Sequence, residues 1–423
     1  MKKRIYLYII AAAFALFGCT ENVHAQKYLG GDISLLPDYE SHNANYMDEN
    51  GNSIDDMLAF FKQKGWNSMR VRLFVAPSQA SQAHKDQGVR QDLEYVKALG
   101  KRIKDAGLKF MLDFHYSDTW TDPGQHSTPS AWNSSDTTTL ANYVYTYTKE
   151  CLQALKDFGA TPDFIQTGNE ITYGMMWPTG HCYPDGGNYS NGTFANFAKY
   201  LKAGIKACRE ECPQAKIIIQ TEMSKVQNVT NFYNTLKRYT NDYDIIGISF
   251  YPHYHGPLNF LENVINSLEQ THADKKIEIV ETGYYHKWYP SDAKYNLTNL
   301  YPATDEGQRL FTAALVEMLN AHSSVDGLYW WFPEANEYGI NWQNAVTPSG
   351  WYNASLWDNE TGKVLAAINE MRDFIGDENS IVVPFSTKEH TTAVYDISGR
   401  MLSALEPLNR GIYISNGKKF IVK

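Results

Sequence analysis

From residue 27 to residue 375, short apolar runs alternate with longer stretches whose apolar residues recur every three or four positions. Eight runs predict strands: 28–34, 68–74, 109–115, 163–167, 216–221, 244–250, 276–280 and 327–332. Helical spacing separates most of them, as in 53–64 (SIDDMLAFFKQK), 91–106 and 307–321. Repeated strand–helix units at this length predict an α/β fold, a (β/α)8 TIM barrel over 27–375 with enlarged loops. A doubly wound sheet is the structural alternative, but no glycine-rich phosphate turn follows the first strand. After Gly376 the texture changes. Residues 381–423 predict a small, β-rich C-terminal appendage of short alternating runs, with Asn416-Gly417 as a hairpin turn.

The composition is globular, with 14% aromatic residues that include 10 Trp and 29 Tyr. Such rings suit flat apolar faces with polar tips, which is how proteins hold sugars, although large exported proteins are often aromatic-rich for other reasons. A net charge of −9 excludes a nucleic-acid partner and disfavours a strongly anionic polysaccharide. The opening MKKRIYLYIIAAAFALFGCT pairs a positive start with an apolar core too short to span a membrane, so residues 1–25 read as an export signal. Leu16-Phe-Gly-Cys19 resembles a lipobox, which predicts an outer-membrane or cell-surface lipoprotein anchored through Cys19. Cleavage after Ala25, with periplasmic or secreted export, is the alternative. The remaining cysteines, Cys151, Cys182, Cys208 and Cys212, form no disulfide framework; Cys208 and Cys212 share a helix face without a His partner for zinc.

In a barrel the chemistry sits at the C-terminal ends of the strands. Read in order, those ends carry Asp32, then Arg70 and Arg72, then His115 followed by Asp118, Trp120 and Asp122. Strand four ends in Asn169-Glu170, strand six runs into Tyr251, strand seven ends in Glu281 and strand eight in Trp330-Trp331. A lone Glu at such a place is more often a loop residue or a salt-bridge partner. Two across one cleft are what glycosidic cleavage needs: one protonated acid under the leaving oxygen, one carboxylate on the opposite face. Arg70 would hold a neighbouring carboxylate ionised or pair with Asp32 as a strut, and Asn169 would hold a sugar 2-hydroxyl. His115, Asp118, His253 and His255 are the candidates for a rival metal site, but no HExxH or similar ligand pattern joins them.

Seven segments carry a resemblance to a known family: GDIS (31–34), NSMRVR (67–72), DFHYSDTWTDP (113–123), GNEI (168–171) with Trp177-Pro178, SFYP (249–252), VET (280–282) and YWWFP (329–333). Together they resemble family 53 glycoside hydrolases, the endo-β-1,4-galactanases of a large retaining (β/α)8 clan. The resemblance implies Glu170 as acid/base and Glu281 as nucleophile. It also implies substrate contacts from Asn169, Arg70, His115, Asp118, Trp120, Tyr251 and Trp331, with Trp177 and Tyr173 walling the cleft. The implied partner is neutral β-1,4-galactan of pectin side chains, with no cofactor required; a monomer is the default expectation, independent of the resemblance. Two departures stand out. The family often has Trp-Glu-Pro after strand eight, where this chain has Trp331-Phe332-Pro333 and then Glu334. The acidic calcium loop of some bacterial members is absent between 284 and 304, leaving Asp292 and Asp358 as the candidates for structural calcium. The tail, VYDISGR to GIYISNGKKFIVK, resembles bacterial C-terminal sorting modules but is shorter. The rival functions are another endo-glycanase of the clan, such as a mannanase or glucanase, and a surface glycan-binding protein that lacks the chemistry.

Overall fold

Eight parallel strands close on one another in chain order in the computed structural model, so the barrel has no free edge. They are β1 (Tyr28–Asp32), β2 (Ser68–Leu73), β3 (Lys109–Phe114), β4 (Phe164–Thr167), β5 (Lys216–Glu222), β6 (Ile245–Phe250), β7 (Lys276–Thr282) and β8 (Val325–Trp331). The helices that follow them in turn are α1 (Met57–Gln63), α2 (Leu93–Asp105), α3 (Thr137–Asp157), α4 (Phe194–Glu211), α5 (Val226–Leu236), α6 (Leu258–Thr271), α7 (Asp305–Asn320) and α8 (Ala367–Met371). The structure describes residues 26–223, 225–340, 346–347 and 349–376, and the strand segments given below. The expected export signal with Cys19, and the Asn416-Gly417 turn, lie outside the described residues.

Polar side-chain caps start α1 to α4 and α7. Asp92 accepts from the Tyr95 N–H at 2.9 Å and Asp136 from the Thr139 N–H at 2.7 Å, each satisfying an otherwise orphaned donor. On α2 the buried residues Val96, Leu99, Gly100 and Ile103 form one stripe against the sheet. Gly100 is required there, because a Cβ would stand 2.8 Å from the Phe110 ring.

Inside the barrel the strands alternate, and their inward faces change character with height. Met111, Phe164, Ile218, Ile245, Val280 and Tyr329 form an apolar plug separate from the helix–sheet core. Two residues further along β3, β4 and β5 the inward side chains turn polar: Met111 gives way to Asp113, Phe164 to Gln166 and Ile218 to Gln220. An apolar floor thus carries a polar upper layer.

A second compact unit begins at Asp377. Within it β9 (Val394–Asp396), β10 (Met401–Leu402), β11 (Gly411–Ser415) and β12 (Lys418–Val422) form an antiparallel sheet in the order β10-β9-β11-β12.

Candidate active site

The polar upper layer is organised around Arg70, which is fully buried on β2. Its guanidinium donates to Asp32 at 2.7 Å, to Asp113 and Asn169 at 2.8 Å each, and lies 2.8 Å from Glu281. Burial works against a positive charge here, yet Asp113, Glu281 and Asp32 together raise the Arg70 pKa. Arg70 is therefore both the strut and the charge partner that the sequence left as alternatives. Arg72 bonds Asp32 at 3.0 Å, and its remaining face is covered by the Trp120, Phe332 and Trp331 rings at 4.7, 4.9 and 5.4 Å.

Glu281 comes to this cluster through an irregularity. Glu278 and Val280 share one face of β7, so strict alternation would turn Glu281 outward. The pairing of β6 with β7 instead skips a residue, matching Ile248 with Ile279 and Ser249 with Glu281. This bulge turns Glu281 inward. There Arg70, the Gln220 amide at 2.9 Å and the Tyr251 hydroxyl at 2.8 Å all bear on its oxygens. Burial, with the Asp113 charge adding to it, leaves its pKa above the usual carboxylate value, and Arg70, Gln220 and Tyr251 oppose that rise.

Glu170 follows β4 in a left-handed conformation, φ 48° and ψ 48°, directly after Gly168 at φ 102° and Asn169. A non-glycine residue held there stores strain on the order of 1–3 kcal/mol. Among the described residues no cation pairs with its carboxyl. Burial and the charge of Glu281 push its pKa well above the usual carboxylate range, and a hydrogen bond from Ser249 opposes them. Two carboxyls in one cleft thus sit in unequal surroundings: three donors oppose the rise at Glu281, and one hydrogen bond opposes the larger rise at Glu170.

The cleft itself has a volume of about 760 Å³. Asn169, Glu170, Trp120, Tyr251, Glu281 and Trp331 all line it, as does Tyr173. Arg70 lies under it. His115 and Asp118 stand behind its wall: His115 is bonded by Thr121 at 2.8 Å, and Asp118 accepts from Ser130 at 2.7 Å. Both positions organise the loop after β3 and leave Trp120, Thr121 and Asp122 to face the cleft. Trp177 is set back too, stacked on His181 with ring centroids 3.5 Å apart and donating to the Tyr173 carbonyl at 3.1 Å. Glu334 is wholly buried, accepting the Leu35 N–H at 2.8 Å, while Phe332 lines the cleft, so the departure after strand eight sets an aromatic ring in the wall.

Gln220, Ser249, Glu222, Lys294 and Trp351 escape the sequence reading as site residues, and His255, read only as a metal candidate, lines the cleft. Gln220 and Glu222 end the apolar run of β5, the same signature that marks Glu170 and Glu281. Among the described residues no three His, Cys, Asp or Glu side chains gather as metal ligands would. Asp292 is bonded by Tyr254 and Asp358 by the Glu360 N–H at 2.8 Å.

A groove walled by aromatic rings, with two buried carboxyls in unequal surroundings at the mouth of a (β/α)8 barrel, defines a glycoside hydrolase. The family model described as glycosyl hydrolase family 53 matches residues 28–371. The chain belongs to that family. It is 31% identical over 326 residues to the arabinogalactan endo-beta-1,4-galactanase of Thermothelomyces thermophilus, spanning 73% of this chain and 90% of that one. Arabinogalactan endo-beta-1,4-galactanase A of Aspergillus niger is 29% identical over 366 residues, 82% of this chain and 95% of its own length. The Ignisphaera aggregans GH53 catalytic domain matches with a TM-score of 0.71 at 30% identity, covering 82% of this chain and 96% of that one.

Proposed function

We propose that this protein is a retaining endo-β-1,4-galactanase that cleaves neutral galactan of the type I arabinogalactan class. The observation that carries the mechanism is the unequal environment of Glu170 and Glu281. Glu170 donates its proton to the glycosidic oxygen as the bond to the anomeric carbon breaks. Glu281 attacks that carbon from the opposite face and forms a covalent glycosyl-enzyme. Glu170, now a carboxylate, then takes a proton from water, which displaces Glu281 and restores the original configuration. Arg70, Gln220 and Tyr251 hold Glu281 in the attacking orientation. Trp331 and Trp120 offer ring faces to the sugar, and Asn169 sits beside the acid for its 2-hydroxyl. The substrate rests on the activity named for the family 53 relatives and on an acidic chain that suits a neutral polymer. Export as a Cys19-anchored lipoprotein belongs to the same proposal, supported by the sequence at 16–19.

The test is hydrolysis of linear β-1,4-galactan by the wild type and by Glu281→Ala, with azide supplied to the variant. The expected result is short oligosaccharides from the wild type and a loss on the order of 10³-fold or more in the variant. Azide should restore turnover and yield the inverted glycosyl azide. Intact galactan after wild-type treatment would overturn the substrate, and turnover in Glu281→Ala without azide would overturn the nucleophile.

A further inference from the structure

Gln220 touches both carboxyl residues, and its amide is saturated. Its Oε1 accepts the Glu170 backbone N–H at 3.0 Å and the Gln166 side-chain N–H at 2.5 Å. Its Nε2 donates to Glu281 at 2.9 Å and to the Ser249 hydroxyl at 2.8 Å. Both lone pairs and both protons of the amide are therefore used. That leaves no freedom to flip. Reversing the amide would aim a carbonyl oxygen at the Glu281 carboxylate and an NH2 at two N–H donors.

The same amide completes a ring. Arg70 joins Asp113 at 2.8 Å, Asp113 joins Gln166 at 2.5 Å, Gln166 joins Gln220, Gln220 joins Glu281, and Glu281 returns to Arg70 at 2.8 Å. Five strands contribute, β2, β3, β4, β5 and β7. Gln220 is the member of this ring that also reaches the acid. Since Ser249 already accepts from Gln220, its own proton is free to point at the Glu170 carboxyl, which it bonds.

On the proposed assignment of Glu170 and Glu281, we infer that Gln220 is a positioning residue that sets the two carboxyls apart. Its N–H holds Glu281 as the anion, and its oxygen holds the strained backbone of Glu170 in place. The acid is reached at its carboxyl only second-hand, through Ser249. Glu281 takes its amide donor together with Arg70 and Tyr251, whereas the Glu170 carboxyl takes the Ser249 hydroxyl beside the like charge of Glu281.

The groups facing Glu281 are Arg70 from β2, Asp113 from β3, Gln220 from β5 and Tyr251 from the end of β6; Glu170 faces Glu281, Glu222, Asp122 and Ser249. A measurement must therefore read each carboxyl separately. Full-length protein carrying 13C-labelled glutamate is titrated by NMR as wild type, Gln220→Met and Ser249→Ala. The Glu281 and Glu170 signals are assigned by their loss in Glu281→Gln and Glu170→Gln. Gln220→Met is expected to move the Glu281 titration up by about one pH unit or more. Ser249→Ala is expected to move Glu170 up and leave Glu281 in place. With galactan as substrate, the acid limb of kcat/KM in Gln220→Met should follow the Glu281 titration upward, with KM changed far less than kcat. Unmoved titrations in either folded variant would overturn the role of Gln220. The titrations need no substrate, so they stand apart from any failure to cleave galactan.

Discussion

Glu278 and Glu281 lie three residues apart on one strand, and both are almost wholly buried, yet they are kept in opposite ways. Glu281 receives a guanidinium, an amide N–H and a phenol. Glu278, nearer the apolar plug, has no hydrogen-bond partner for either oxygen among the described residues, and its side chain fills the space above Gly327. Burial drives its pKa well above the usual range, with Asp326 adding to the effect. Burial alone makes a carboxyl neutral, and a built set of donors is needed to keep one charged. The bulge between Ile279 and Glu281 separates the two cases, because it turns Glu281 toward the donors that β2, β5 and β6 supply.

The largest expected effect breaks the comparison by exchange of the same group. Glu281→Gln should lower kcat on galactan on the order of 10³-fold or more, while Glu278→Gln keeps most of the activity. Equal losses, measured as initial rates of new reducing ends, would show that the two glutamates are not as different as their surroundings. Next in size is Arg70→Met. It removes the one cation that Asp32, Asp113 and Glu281 share, and should cost about 3–5 kcal/mol of stability. Chemical denaturation with an unchanged midpoint would deny that the cluster depends on Arg70.

The smallest effect concerns acids kept neutral as Glu278 is. Burial raises Glu334 to about 8, Glu337 to about 7 and Asp326 to about 6. Each binds its proton more tightly folded than unfolded, so its stabilising contribution is complete below pH of about 4 and is lost as pH rises through 6 to 8. Glu334→Gln should reduce the fall in stability between pH 7 and pH 8 by about 1 kcal/mol. Thermal melts across that range check it, and parallel curves for wild type and variant would deny Glu334 its part.

Much of the barrel was legible, because apolar runs at strand length and helical stripes follow directly from burial. The ends of elements were less so. The stretch from Ser53 reads as helical, yet the helix starts at Met57, because Asp56 caps it and the polar residues before it have no apolar face to bury. β7 runs on to Thr282, past the last apolar residue, since its polar end is paired inside the barrel. Glu170 and Glu281 were visible as charges ending apolar runs. Gln220 was not, since an amide carries no charge and its importance lies in which neighbours it meets. His115 and Asp118 were visible as residue types, but a segment of sequence does not show which side chains face a cleft and which brace the loop behind it.

The ring from Arg70 through Asp113, Gln166 and Gln220 to Glu281 is made wholly of strand residues, while Trp120, Tyr173, Lys294 and Trp351 line the cleft from outside the strands. Glu170 and Tyr251 follow closely on β4 and β6, so the chemistry stays close to the strands while the reach of the groove is set further out. A change of length in the outer loops would reshape the groove and leave the frame of the ring in place.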